Sequence, residues 1–360
     1  MPLPALLARL RGRPLAAWMA DGRDNMVLVR LVAALAVLFG HSYALAGLGM
    51  AEADPIRRLL GQTYSHFIGV MMFFTLSGLL ITLAWQRRPS LPYFLRSRAL
   101  RILPALFVCV AISALVLGTA MTSLPVTAYL GSAQPWRYVA GNASLLDLQW
   151  TLPGVFAANP TTDYVNGSLW TLPVESGLYL AVAALGVVGV LRRRAWIASA
   201  AIVLAAGLWL RVPLLSGEQV SIETALIVFF AFGAWCCVNR AWLPLSTPIL
   251  LALIAAAWLA FGTPLYQPLL ALCIAYGTLW LAYVPRLPQG RWGDLSYGTY
   301  LWGFPVQQTL IAVAGLRDPL AIFAACVLPT LMLAWLSWRL VEQPALRYKH
   351  PPRPASAAAS

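Results

Sequence analysis

Residues 26–47 read MVLVRLVAALAVLFGHSYALAG. As a helix this stretch would rise about 33 Å, enough to cross a hydrocarbon core roughly 30 Å thick. Its only basic side chains are Arg30 and His41. Comparable apolar blocks recur at 66–85, 101–120, 168–190, 196–213, 222–238, 247–262, 266–284, 295–315 and 319–340. Of 360 residues, 60% are apolar and 10% charged, against about 25% charged in soluble domains. The reading is an all-α polytopic membrane protein of about ten transmembrane helices.

Ten spans put both termini on one side of the membrane, and the basic residues say which. With the N-terminus cytoplasmic, 20 Lys and Arg fall inside and 5 outside, namely Arg57, Arg58, Arg137, Arg211 and Arg317. The positive-inside rule therefore predicts cytoplasmic termini, with the chain among membrane lipids. The same placement removes nucleic acid as the partner behind the +13 net charge. The basic residues sit in short links and form no continuous patch with interleaved aromatics.

The organisation that follows is a basic segment over 1–25, a membrane domain over 26–345 and a disordered Pro/Ala/Ser-rich tail over 346–360. The basic segment lacks the apolar core and cleavage site of a signal peptide. The five cysteines lie within apolar blocks without CxxC spacing, so neither a disulfide framework nor a metal centre is expected. Residues 121–167 form the one long external stretch, rich in Gly, Pro, Asn, Thr and Trp. An interfacial helix is expected between Trp136 and Trp150, and the stretch is placed as a lid that binds an acceptor.

Ionisable groups inside spans are costly and mark functional positions. Arg30 and His41 are 11 residues apart, about three turns, so they share one stripe roughly 16 Å long. Arg98 and Arg101 share one face at the cytoplasmic start of the third span, where two guanidinium forks suit phosphates. Glu175 and Tyr179 are an i, i+4 pair; His41 or an arginine is the expected partner of the carboxylate. Ser77-Gly78 interrupts the second span, either for close helix packing or to line a passage. His66 is expected at the surface, and Asp294, Tyr297, Tyr300 and Glu342 in structural roles.

These residues resemble the membrane acyltransferase-3 family of bacterial O-acyltransferases over about 26–348. Arg30-x10-His41 is similar to the family's first-helix signature, and Gly69 to Thr82, GVMMFFTLSGLLIT, to its second-helix motif. Arg98-Ala99-Leu100-Arg101-Ile102-Leu103-Pro104 resembles the RxxRIxP run, and Ser168-Leu169-Trp170-Thr171-Leu172-Pro173-Val174-Glu175 the SLWxLxxE segment. Leu295 to Trp302 resembles the SYxxYLW motif, and Val341-Glu342-Gln343-Pro344 the closing ExP. Two positions depart from the pattern. Met71 or Met72 stands where many members have an acidic residue, and Gly303 where many have histidine.

The resemblance implies acyl transfer from cytoplasmic acyl-CoA, acetyl-CoA foremost, to a hydroxyl of a cell-envelope or secreted carbohydrate or glycolipid. It implies a need for Arg30 and His41 and donor binding by Arg98 and Arg101. Acyl-CoA would be a co-substrate, with no metal. Some relatives carry an esterase-like domain after the membrane part. Without one, this chain either completes transfer itself or hands the acyl group to a partner acyl carrier or esterase-like protein. In this reading His41 is the catalytic base or acyl acceptor, Glu175 orients it, and Arg30 lines the entry. Ser77, Tyr179 and Trp170 contact substrate. A transporter or flippase for a lipid-linked glycan competes; it accounts for the spans but not for an RxxR mouth joined to the Arg30/His41 stripe.

Overall fold

The computed structural model describes residues 12–61, 63–192, 195, 197–204, 221–288, 290 and 292–349. Its longer helices stand where the apolar blocks stand, except one inside the 121–167 stretch. They are α1 (Met26–Ala46), α2 (Ser65–Arg87), α3 (Leu91–Ile112), α4 (Gln134–Ser144), α5 (Thr171–Val187), α6 (Ile222–Val238), α7 (Thr247–Leu259), α8 (Tyr266–Tyr283), α9 (Ser296–Ala314) and α10 (Pro319–Ser337). Five stretches are long and apolar enough to cross a membrane by themselves: Met26–Ala46, Ser65–Arg87, Leu91–Met121, Gly167–Val187 and Pro319–Arg347. The fold is that of an all-α membrane protein. Of the span expected over 196–213, residues 197–204 are helical and 205–213 lie outside the described residues, as do 1–11 and the tail from 350.

Helix starts follow local chemistry. Asp318 accepts a hydrogen bond from Ala321 N with Pro319 in the first turn of α10. Ser221 and Ser246 cap α6 and α7 in the same way. A side-chain oxygen in these positions takes up an amide that the first turn leaves without a partner. The third span begins ten residues earlier than expected, at Leu91, so Arg98 and Arg101 sit two to three turns inside the helix rather than at its mouth. It continues through a π turn, Ser113–Leu117, to Met121.

α2 is the hub, packed against α1, α5, α6 and α8, while α1 also meets α9 and α10. Glycines set the closest approaches. A Cβ at Gly78 would run into the Phe230 carbonyl oxygen of α6, and one at Gly233 into the Thr75 carbonyl oxygen of α2. A Cβ at Gly69 would meet the Ala33 carbonyl oxygen, and one at Gly40 the backbone of His66. In lipid, where apolar burial drives little association, such backbone approach is the main source of helix packing.

The stretch expected to be an external lid is instead built into the bundle. A short helix over Val126–Gly131 and α4 pack on α3 through Tyr129 and Tyr138, both fully buried. Tyr129 donates to Ala114 O in the π turn at 2.7 Å. Residues 145–166 then run among the helices and bury Leu152, Val155, Phe156 and Val165. Irregular backbone survives at this depth only when its polar groups are paired within the protein. Pro305 in α9 lacks the N–H that would bond Leu301 O, and Asn166 Nδ2 donates to that carbonyl instead at 2.9 Å. Asn159 donates to Gln308 O at 3.0 Å, and Gln308 Nε2 donates to Thr162 O and Tyr164 O at 2.9 and 2.7 Å. The fourth span therefore opens as a 3-10 turn, Gly167–Trp170, and becomes α-helical only at Thr171.

Gly233→Val should lower the thermal midpoint in detergent sharply and deplete the monodisperse peak in size-exclusion chromatography, because the α2–α6 crossing cannot close. Gly177→Ala, on an α5 face with nothing within 4 Å of the new methyl, should hold or raise the midpoint, since alanine favours the helix by about 1 kcal/mol.

Candidate functional site

A cavity of about 520 Å³, partly open to solvent, lies between α1, α2, α3, α5 and α9. Its polar lining is Arg30, Ser77, Arg101, Thr171, Glu175, Tyr179, Tyr297 and Tyr300, with Phe73 and Phe74 among the apolar walls. Of the residues singled out in the sequence, it gathers Arg30, Ser77, Arg101, Glu175 and Tyr179 from four helices. Trp170 lies against the core one residue before the lining begins at Thr171 and does not line the cavity.

Arg30 and Arg101 converge on one atom. Asp294 Oδ2 accepts from Arg30 at 2.8 Å and from Arg101 at 2.6 Å. Its other oxygen accepts from Ser296 Oγ at 2.5 Å and Ser296 N at 3.2 Å. Burial alone would raise the Asp294 pKa; the two guanidinium groups more than offset this and hold it at about 2. Arg101 also reaches Glu342 at 3.4 Å, a carboxylate whose side chain is only 1% exposed. A π turn over Trp338–Glu342 at the end of α10 carries that side chain, and Ser337 Oγ donates to it at 3.1 Å. The structural roles expected of Asp294 and Glu342 thus take a definite form: they are counter-ions to two arginines of the site. Arg98, one turn before Arg101, makes no ion pair among the described residues, and its Nε is buried without a hydrogen-bond partner.

Glu175 differs from expectation. Its hydrogen-bond partners are neither His41 nor an arginine: Ser77 Oγ donates to Oε1 at 2.9 Å, and Tyr179 OH donates to the same oxygen. The i, i+4 spacing on α5 brings the phenol back over the carboxylate. Oε2 has no protein hydrogen bond among the described residues. Ser77 and Gly78 divide the two roles considered for them: Gly78 makes the α2–α6 contact while Ser77, turned about 100° around the helix, faces the cavity.

His41 lies farther along α1 and is not part of the cavity lining. Its ring is 5.3 Å from that of His66 and 5.3 Å from Phe304, edge to face. His66 is not a surface histidine. Gly40 lets it press against α1, its ring stacks on Tyr64, and its Nδ1 is buried without a partner. The tertiary structure also adds Thr171, and it sets Tyr297 and Tyr300, expected only in structural roles, on the cavity wall, where the Thr171 and Tyr300 hydroxyls meet at 2.5 Å. Tyr297 and Tyr300 follow Asp294 at one-turn spacing, which was a usable signal for a shared face.

The acyltransferase-domain family model matches residues 24–339. An O-acetyl transferase of Shigella phage Sf6 is 28% identical over 344 residues, covering 89% of this chain and 96% of the phage protein. Nodulation protein 10 of Rhizobium leguminosarum bv. viciae is 30% identical over 364 residues, covering 91% of this chain and 94% of that one. No solved structure matches.

Asp294→Asn should destabilise the protein by up to about 3 kcal/mol, since it leaves two half-buried guanidinium groups without their shared anion, Arg101 keeping only Glu342. Asp294→Glu should recover part of that loss. Thermal unfolding in detergent compares the three proteins.

Proposed function

The chain belongs to the acyltransferase family matched over residues 24–339, and from that premise we propose that it transfers an acyl group, acetyl foremost, from acyl-CoA to a carbohydrate hydroxyl. The observation that carries the reading is a polar cavity at Arg30, Ser77, Arg101, Glu175 and Tyr179, with His41 about three turns farther along the same helix. The name of the phage relative, an O-acetyl transferase, supports acetyl as the group and a hydroxyl as the acceptor. In this reading ten spans cross a bacterial inner membrane with both termini cytoplasmic, the donor enters from the cytoplasm, and the acceptor is a cell-envelope or secreted carbohydrate met at the outer side.

Acyl transfer to an alcohol needs a base for the hydroxyl, a polarised carbonyl and a stabilised leaving group. His41 is half-buried and makes no hydrogen bond among the described residues, so a ring nitrogen is available to the acceptor's proton. The alcohol oxygen then attacks the thioester carbon, the C–S bond breaks, and the thiolate takes up a proton. Attack by the imidazole itself would give an acyl-histidine that the hydroxyl then resolves. Arg98, with its Nε buried and without a hydrogen-bond partner, is left as a cation for the donor. Arg30 and Arg101, fixed by Asp294, shape the donor pocket. Glu175 has one oxygen held by Ser77 and Tyr179, leaving Oε2 to accept from a donor amide or hydroxyl.

His41→Ala should lower the kcat of purified protein with labelled acetyl-CoA by about 10²–10⁴-fold, the usual contribution of a general base. Glu175→Gln should raise the KM for the donor more than it lowers kcat. Full activity in His41→Ala would remove the imidazole from the reaction.

A further inference from the structure

The central cavity is poorly suited to the phosphates of a nucleotide. Two arginines line it, but Arg30 and Arg101 already share Asp294, Arg101 also reaches Glu342, and Glu175 lines the same space. Little positive charge remains to meet a polyanion.

A second, solvent-open cleft, about 1130 Å³ with the solvent it admits, lies beside the N-terminal end of α1, and its charged side chains are exposed. Arg13, Trp18, Asp21, Arg23, Tyr283 and Arg286 are among its lining residues. Arg13 is tied to Asp21 at 2.9 and 3.0 Å. Arg23 and Arg286 make no ion pair among the described residues, so cations outnumber anions three to one on this lining. Trp18 lies 4.6 Å from the Arg13 guanidinium, and its Nε1–H is buried with no hydrogen-bond partner.

The walls are pinned. Arg13–Pro14 pairs antiparallel with Pro244–Leu245, and Leu15, fully buried, donates its N–H to Leu243 O at 2.8 Å. Asn25 Nδ2 donates to Leu281 O and Pro285 O at 2.9 and 2.7 Å, clamping the chain after α8 against the start of α1. Asn25, on this lining, precedes Arg30 by five residues, about 7.5 Å of helix rise, so the two cavities occupy adjacent levels of α1.

We propose that this second cavity docks the phosphates at the nucleotide end of acyl-CoA, leaving only the thin thioester arm to enter the central cavity, whose two arginines are already paired. Guanidinium groups without internal partners bind phosphate oxygens in pairs of hydrogen bonds, and aromatic rings beside them suit an adenine. The inference rests on the acyl-CoA reading above and moves the phosphates away from Arg98 and Arg101. An anionic phospholipid headgroup presents the same phosphate chemistry.

The test is binding to full-length protein in detergent, by calorimetry, of CoA, dephospho-CoA and pantetheine, with phosphatidylglycerol as competitor. The Arg23→Ala/Arg286→Ala double variant should bind CoA at least about tenfold more weakly, the scale of one lost charge-assisted hydrogen bond. It should bind pantetheine like the wild type, unfold at the wild-type temperature without ligand, and raise the KM for acetyl-CoA with little change in kcat. Wild-type CoA affinity in the double variant would overturn the proposal while leaving the acyl-CoA reading intact. Loss of phosphatidylglycerol binding alone would also overturn it, by assigning the site to lipid. A wild-type protein that binds no CoA at all would sink both.

Discussion

Asp294 holds two guanidinium groups on one oxygen, and much of the architecture serves that arrangement. Arg30 comes from α1 and Arg101 from α3, while Asp294 stands at the head of α9 and Glu342 closes the network from the end of α10. A charge removed from water is costly unless it is paired and its remaining hydrogen bonds are satisfied. The four elements that carry these residues therefore meet in one relative position. The pairing orients two arginines at the cavity and also spends much of their charge there.

That expenditure shapes the chemistry. A pocket whose arginines are already paired suits the uncharged, reactive end of a thioester better than a string of phosphates, whose proposed counterpart is the basic cleft beside the start of α1. The N-terminal segment then acts as a wall, held by a ribbon to the α6–α7 link and by Asn25 to the chain after α8. Reading it as a positive-inside anchor accounts for its charge but not for its fixed path.

The bundle around the site is assembled by close backbone contact and by carbonyls in need of donors. Gly78 and Gly233 let α2 and α6 touch, which frees the neighbouring Ser77 to face Glu175. Pro305 leaves Leu301 O without its helical donor, and Asn166 answers it. That bond helps hold residues 145–166 inside the bundle and sets where α5 begins, hence where Glu175 and Tyr179 stand.

Hydrophobic block length by itself determined that this is a helical membrane protein, because a lipid core accepts a backbone only when each segment satisfies its own hydrogen bonds. Helical spacing within single elements was equally legible: Arg30 with His41, Arg98 with Arg101, Glu175 with Tyr179. Partnership between elements was not. The sequence offered Glu175 either His41 or an arginine, whereas packing gave it Ser77 from α2. It treated Arg30 and Arg101 as free cations, and Asp294, 264 and 193 residues away, took both. The 121–167 stretch read as a lid because its composition is that of a loop, yet Tyr129, Tyr138 and Asn166 tie it into the bundle. Periodicity reports which face of a helix is polar; which buried charges neutralise one another depends on how helices far apart in the chain cross, and only the tertiary structure decides that.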